Sequence, residues 1–166
     1  MTALSQDERV AVARLQALLE LLPSALDRHL LPAGLTAFEF TLLEVLAAAE
    51  EGRMRLSVLA AKTNASLARM SRVATSLERK GFIQRVPCPA DSRATNAVIT
   101  PEGEAAHARS RTLHAAAVRS LILDTLSAQD VADLSRLSLA ILSQLDPVGG
   151  QTGTCPADPA LVGSGT

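Results

Sequence analysis

ARMSRVATSLERKGFI, residues 68–83, decides the fold. Ser66 stands where a helix cap is needed, and Gly81 stands where a helix must stop, so the stretch reads as a helix from Ser66 to about Lys80. Val73 and Leu77 fall on its core side. Just upstream, Ser57 to Lys62 holds Val58, Leu59 and Ala60 and reads as a short helix, with Asn64-Ala65 as the turn. Residues 57–81 are therefore helix, short turn, helix. Downstream, Phe82 to Val86 is strand-like, with Pro87 and Pro89 expected to stop it, and Asp91-Ser92-Arg93 reads as a charged turn. Residues 95–100 (TNAVIT) form the returning strand, which makes a hairpin around a loop of about seven residues.

Further out the chain is helical. Residues 5–31 keep apolar positions Val10, Val12, Leu15, Leu18, Leu19, Leu22, Leu26 and Leu30 at helical spacing, with Ser5 as cap. Pro23 lies inside this pattern and is expected to kink or split it. Pro32-Ala33-Gly34 ends it. Thr36 and Glu39 form a capping box for a second, buried helix carrying Phe38, Phe40, Leu42, Leu43, Val45 and Leu46. Glu50 to Arg55 is a polar connection, and Met54 to Leu56 is predicted as a very short strand. Thr100-Pro101-Glu102 opens a long helix to about Asp124. Ser127 opens the last helix, to about Leu145, with a seam of Val131, Leu134, Leu137, Ile141 and Leu145. Residues 146–166 hold five Gly and three Pro and read as a disordered tail.

The bulk numbers agree. The chain has 166 residues, 48% of them apolar, with 29 Ala and 27 Leu, which favours a mainly α domain with a real core. Three Phe and no Tyr or Trp argue against a base-stacking platform for single strands. No apolar run reaches the roughly 18 residues of a membrane span, and the polar start is not a signal peptide, so the expected location is the cytoplasm. Cys88 and Cys155 do not make a disulfide framework, and the scattered His and Cys lack zinc spacing. His107 and His114, seven positions apart, are weak metal evidence without a clustered acid or thiol. Without paired carboxylates, a nucleophile–base set or a Gly-rich phosphate loop, neither an enzyme nor a cofactor is expected.

Net charge is only −1, but it is unevenly spread. Residues 53–93 carry nine basic residues (Arg53, Arg55, Lys62, Arg69, Arg72, Arg79, Lys80, Arg85, Arg93) against Glu78 and Asp91, a net +7, and the remainder carries −8. The excess coincides with the helix–turn–helix and hairpin, the electrostatic footprint of a polyanion partner.

The element order is that of a winged helix-turn-helix flanked by extra helices. The Ser-Arg pair, Leu-Glu and Lys-Gly-aromatic ending of residues 68–83 resemble the recognition helix of the MarR (multiple antibiotic resistance regulator) family. Asp91-Ser92-Arg93 resembles its Asp-x-Arg wing, and Ile99-Thr100-Pro101-Glu102-Gly103 the Leu-Thr-x-x-Gly that follows. Leu35 to Leu43 (LTAFEFTLL) resembles the family's second helix. The resemblance spans residues 5–145, with 36–100 as the DNA-binding region and 5–31 and 101–145 as dimerisation helices. Ala97-Val98 and the Pro87-Cys88-Pro89 run depart from the family's wing.

The resemblance implies a homodimer on a pseudo-palindromic double-stranded operator, more a repressor than an activator. Ser66, Arg69, Met70, Ser71, Arg72 and Thr75 are the expected recognition-helix contacts, with Arg69 able to meet guanine bidentately. Arg85 is expected on phosphate and Arg93 in the minor groove, with Asp91 orienting Arg93. A small phenolic or lipophilic effector is implied, with Arg28, His29 and Phe38 as pocket candidates. Two alternatives stay open. One is a redox-responsive regulator through Cys88, whose thiolate Arg85 and Arg93 would favour. The other is a winged-helix protein-interaction module.

Overall fold

A computed structural model describes residues 3–88 and 91–145, with the backbone alone for 91–93. The assigned tail, 146–166, lies outside the described residues.

Helix α1 is Gln6–Leu30. Ser5 and Glu8 cap it reciprocally: the Glu8 N–H donates to Ser5 Oγ at 3.2 Å and the Ser5 N–H to Glu8 Oε2 at 2.6 Å. The helix runs through Pro23 without splitting. A proline removes one backbone hydrogen bond, and the turns on either side keep theirs. Helix α2 is Ala37–Ala47, with the expected Thr36/Glu39 capping box. Asp27 of α1 accepts the Ala37 N–H at 2.7 Å, which fixes the start of α2 against the end of α1.

Strand β1 is Arg53–Arg55, helix α3 is Leu56–Lys62 and helix α4 is Leu67–Arg79. The end of α4 is set by Gly81, whose φ of 76° is one that side chains rarely adopt. The Gly81 N–H donates to Glu78 O and the Phe82 N–H to Leu77 O, both at 2.9 Å.

Strands β2 (Ile83–Cys88) and β3 (Asp91–Ile99) form the wing, and the sheet order is β1-β3-β2. Two expectations change here. Strand β2 does not stop at Pro87 but continues to Cys88, with a register irregularity between the two. It is the edge strand next to β3, where a residue without an N–H is tolerated. The hairpin is also longer than expected, since pairing resumes at Asp91 rather than at Thr95. The short strand predicted at 54–56 pairs one residue earlier, Arg53 opposite Val98 through Arg55 opposite Asn96.

Helix α5, Pro101–Leu121, starts on Thr100, whose hydroxyl accepts the Gly103 N–H at 3.0 Å and donates to Gly81 O at 2.6 Å. It ends before Asp124, in a short 3-10 turn at Leu123–Thr125. Helix α6 is Ala128–Leu145.

The core lies between α2, α3, α4 and the sheet: Leu35, Phe40, Leu42, Leu43, Leu46, Leu59, Met70, Ala74, Leu77, Ile83 and Ala97 are essentially inaccessible. Helix α5 packs on α2 and α1. His107 and His114 of α5 stand beside Phe40, with ring centroids 5.5 and 4.3 Å away. No single helix among the described residues is long and apolar enough to cross a membrane.

Candidate nucleic-acid interface

The sequence places four kinds of residue around α4, and their placement follows from the helical advance of about 100° per residue. Met70, Ala74 and Leu77 are buried, so they mark the inward side. Ala68, Arg72, Thr75 and Arg79 lie opposite them and are all exposed. This is the outward ridge.

The two flanks are equally distinct. On one flank stand Leu67 and Ser71. Together with Arg55, Leu56, Ser57, Ala94 and Thr95 they line a cleft of about 350 Å³ between α3, α4 and the wing strand β3. On the other flank stand Arg69 and Ser76, both facing α2. The Arg69 guanidinium carbon lies 4.1 Å from the centre of the Phe38 ring. Ser76 donates to Glu39 Oε1 at 2.8 Å.

Glu39 is the anchor of this second flank. It is 4% exposed, and it accepts from Lys80 Nζ at 2.8 and 2.7 Å and from the Thr36 N–H at 2.9 Å. Burial pushes its carboxyl up. The Lys80, Thr36 and Ser76 hydrogen bonds and the Lys80 charge outweigh burial and hold it below the usual carboxylate range. A buried charge thus ties the end of α4 to the start of α2.

One expected site residue needs revision. Met70 is a correction: its side chain is fully buried in the core, so it cannot touch a base. Ser66 is exposed, but its hydroxyl is already engaged as the α4 cap, accepting the Arg69 N–H at 3.2 Å. Thr75 donates to the Ser71 carbonyl at 3.0 Å while remaining exposed. Arg85 is held by Glu78, with Nε to Oε2 at 2.8 Å and Nη2 to Oε2 at 2.6 Å. These bonds hold the Glu78 carboxyl below its usual range. The side chains of Asp91 and Arg93 lie outside the described residues.

Cys88 is buried at the end of β2, beside the hairpin turn, and Arg55 donates to its sulfur at 3.2 Å. Arg28 and His29 are exposed at the end of α1, His29 with Nδ1 2.9 Å from the Ala25 carbonyl oxygen. Phe38 is half-buried and carries the Arg69 guanidinium over its ring.

Ser57 and Thr95 carry no contact signal in the sequence, and Arg55 and Arg79 enter there only through the charge count. Arg79 was recoverable, since it falls two turns beyond Arg72 on the outward ridge. Arg55, Ser57 and Thr95 come together only through the pairing of β1 with β3.

Comparison with known proteins now decides the family. The MarR family model matches residues 35–95. AbsC, a MarR family transcriptional regulator from Streptomyces coelicolor, is 30% identical with a TM-score of 0.81, over 89% of this chain and 99% of AbsC. The chain belongs to the MarR family of transcriptional regulators. Sco3205, another MarR family transcriptional regulator from Streptomyces coelicolor, solved in complex with DNA, is 27% identical with a TM-score of 0.85, over 92% of this MarR-family chain and 96% of its own. The Mycobacterium tuberculosis transcriptional regulator MOSR, also solved with DNA, is 26% identical with a TM-score of 0.66, over 82% and 96% of the two chains. A search of curated proteins found no match.

Proposed function

We propose that this chain is a homodimeric transcriptional repressor that binds a pseudo-palindromic operator in double-stranded DNA and is released by a small-molecule effector. The observation that carries the DNA-binding reading is the outward ridge of α4. Arg72, Thr75 and Arg79 stand exposed on a helix braced from behind by a rigid core, with basic residues concentrated on the same part of the chain. Such a ridge fits the major groove, about 12 Å wide. Ser71 and the cleft beside the wing follow the groove wall. Arg93, near the start of β3, supplies the minor-groove contact, with Asp91 orienting it. DNA complexes of Sco3205 and MOSR support the reading by analogy.

The dimer reading is supported by unsatisfied apolar surface. Leu15, Leu18 and Leu19 of α1 are 41, 57 and 67% exposed, and Leu134, Leu137 and Ile141 of α6 are 43, 51 and 47% exposed. No described residue of α6 is buried within its own chain. Helices of this composition do not stay in water uncovered when a second copy presents the same face. The effector, a small phenolic or lipophilic anion, is carried over from the family resemblance, with Arg28 as the charge available to it.

The test is footprinting on the intergenic DNA beside the gene, with and without a panel of aromatic acids. Protection of two half-sites one helical turn apart supports the dimeric regulator, and loss of protection with one acid identifies the effector. Absence of protection at any intergenic segment overturns the proposal.

A further inference from the structure

The sequence points to Arg69 as a guanine reader, but its position in the fold is that of a phosphate contact. Arg69 lies on the α2 flank of α4, away from the ridge formed by Arg72, Thr75 and Arg79. A helix in the major groove presents its ridge to the base edges and its flanks to the two phosphate backbones that bound the groove. The Arg69 guanidinium stands 4.1 Å over the half-buried Phe38 ring. Stacking occupies a face of the guanidinium and leaves its in-plane N–H edge for an acceptor. Phe38 itself is fixed. It sits in the first turn of α2, packed against the core, in a helix pinned by Asp27 to Ala37 and by Glu39 to Lys80.

We propose that Arg69 is a sequence-independent phosphate clamp and that Phe38 is its positioning residue. The ring holds the guanidinium at the groove wall and restricts the rotamers that would carry it to the groove floor. Base discrimination then rests on the ridge, with Arg72 as its principal donor. This inference rests on the DNA-binding reading above and divides the labour within it.

The test starts from the duplex that the wild-type protein selects from a randomised double-stranded library. Dissociation constants are measured for that duplex and for each of its single-base-pair variants over a range of salt. Arg69→Gln is expected to weaken every duplex by the same factor and to reduce the slope of log K against log salt by about 1. Phe38→Leu is expected to weaken binding about two- to five-fold when Arg69 is present and not at all in the Arg69→Gln background, and Phe38→Tyr to bind as wild type does. In the free wild-type protein, upfield ring-current shifts of the Arg69 side-chain protons report the stacking directly, whether or not Phe38→Leu folds. A change in the ranking of base-pair variants on Arg69→Gln overturns the clamp. An equal effect of Phe38→Leu with and without Arg69, or unshifted Arg69 protons, overturns the positioning role. If the wild-type protein selects no duplex, the DNA-binding reading itself fails.

Discussion

Replacing Lys80 by Met tests how the recognition helix is held. Lys80 Nζ reaches both oxygens of Glu39 and the Gly34 carbonyl, the last at 2.8 Å. Methionine keeps much of the apolar stem and removes the charge. Glu39, with its side chain only 5% exposed, would retain the Thr36 N–H and Ser76 hydroxyl but lose its counter-charge. Breaking a fully buried pair costs roughly 3–5 kcal/mol. Lys80 is 31% exposed, so water screens the pair, and the expected loss is about 1–3 kcal/mol. At about 2–4 °C per kcal/mol for a chain of this size, the melting temperature should fall by about 2–12 °C.

The pH dependence adds a sharper check. In the wild type the Glu39 carboxyl is held below its ordinary value of 4.5, so the stability it contributes is present above pH 4.5 and lost as pH falls through the native value. Without Lys80, burial meets less opposition, the native value rises, and less stability remains to be lost in that window. The gap between wild type and Lys80→Met, followed by thermal or urea unfolding from pH 7 to pH 3, should therefore narrow on acidification, chiefly below pH 4.5. A variant within about 0.5 kcal/mol of wild type at pH 7, or a gap that does not change with pH, refutes the reasoning.

Three further outcomes are expected. His107 and His114 are both held below the ordinary 6.5 by burial, with Glu44 opposing and, for His107, Arg111 adding to the shift. The unfolded chain therefore binds more protons, stability should decline as pH falls below about 6.5, and the decline should lessen in His114→Phe; unfolding curves at pH 7.5 and 5.5 decide this. In Gly103→Ala the new Cβ would stand 2.0 Å from the Phe82 carbonyl oxygen, a clash with backbone that no side-chain rotation relieves, and about 1–3 kcal/mol should be lost in denaturant unfolding, where a silent change contradicts the packing of α5 on the wing base. Leu137→Glu, on the exposed face of α6, should shift sedimentation from dimer to monomer, and a wild-type protein that is monomeric at micromolar concentration contradicts the dimer proposal.

Much of the fold was legible because local signals and burial pattern agreed. Ser5 with Glu8, Thr36 with Glu39 and Thr100 with Pro101 cap the helices they announce in sequence. Where the reading failed, a longer-range fact decided. Pro87 stops a strand only if its missing N–H is needed, and β2 is an edge. Met70 looked available because it follows Arg69, yet its position one turn before Ala74 and two before Leu77 puts it inside. Within the candidate site, Arg72 and Thr75 were readable from helical spacing. The roles of Phe38 and Glu39 were not, because both depend on how α2 lies against α4, which spacing along a single helix does not encode. The charge count was legible, but one of its positive charges, Lys80, is paired with Glu39, which lies outside the counted stretch.

Binding of duplex DNA by α4 and the wing, as proposed, runs through an arginine-rich surface. It is tested most directly by the salt dependence of affinity for the intergenic duplex, measured for wild type and Arg72→Ala. Tight binding at low salt, a steep linear fall of log K with log salt, and a clear loss of affinity in Arg72→Ala are expected. A wild-type affinity that stays flat between low and moderate salt, or one that Arg72→Ala leaves unchanged, contradicts it.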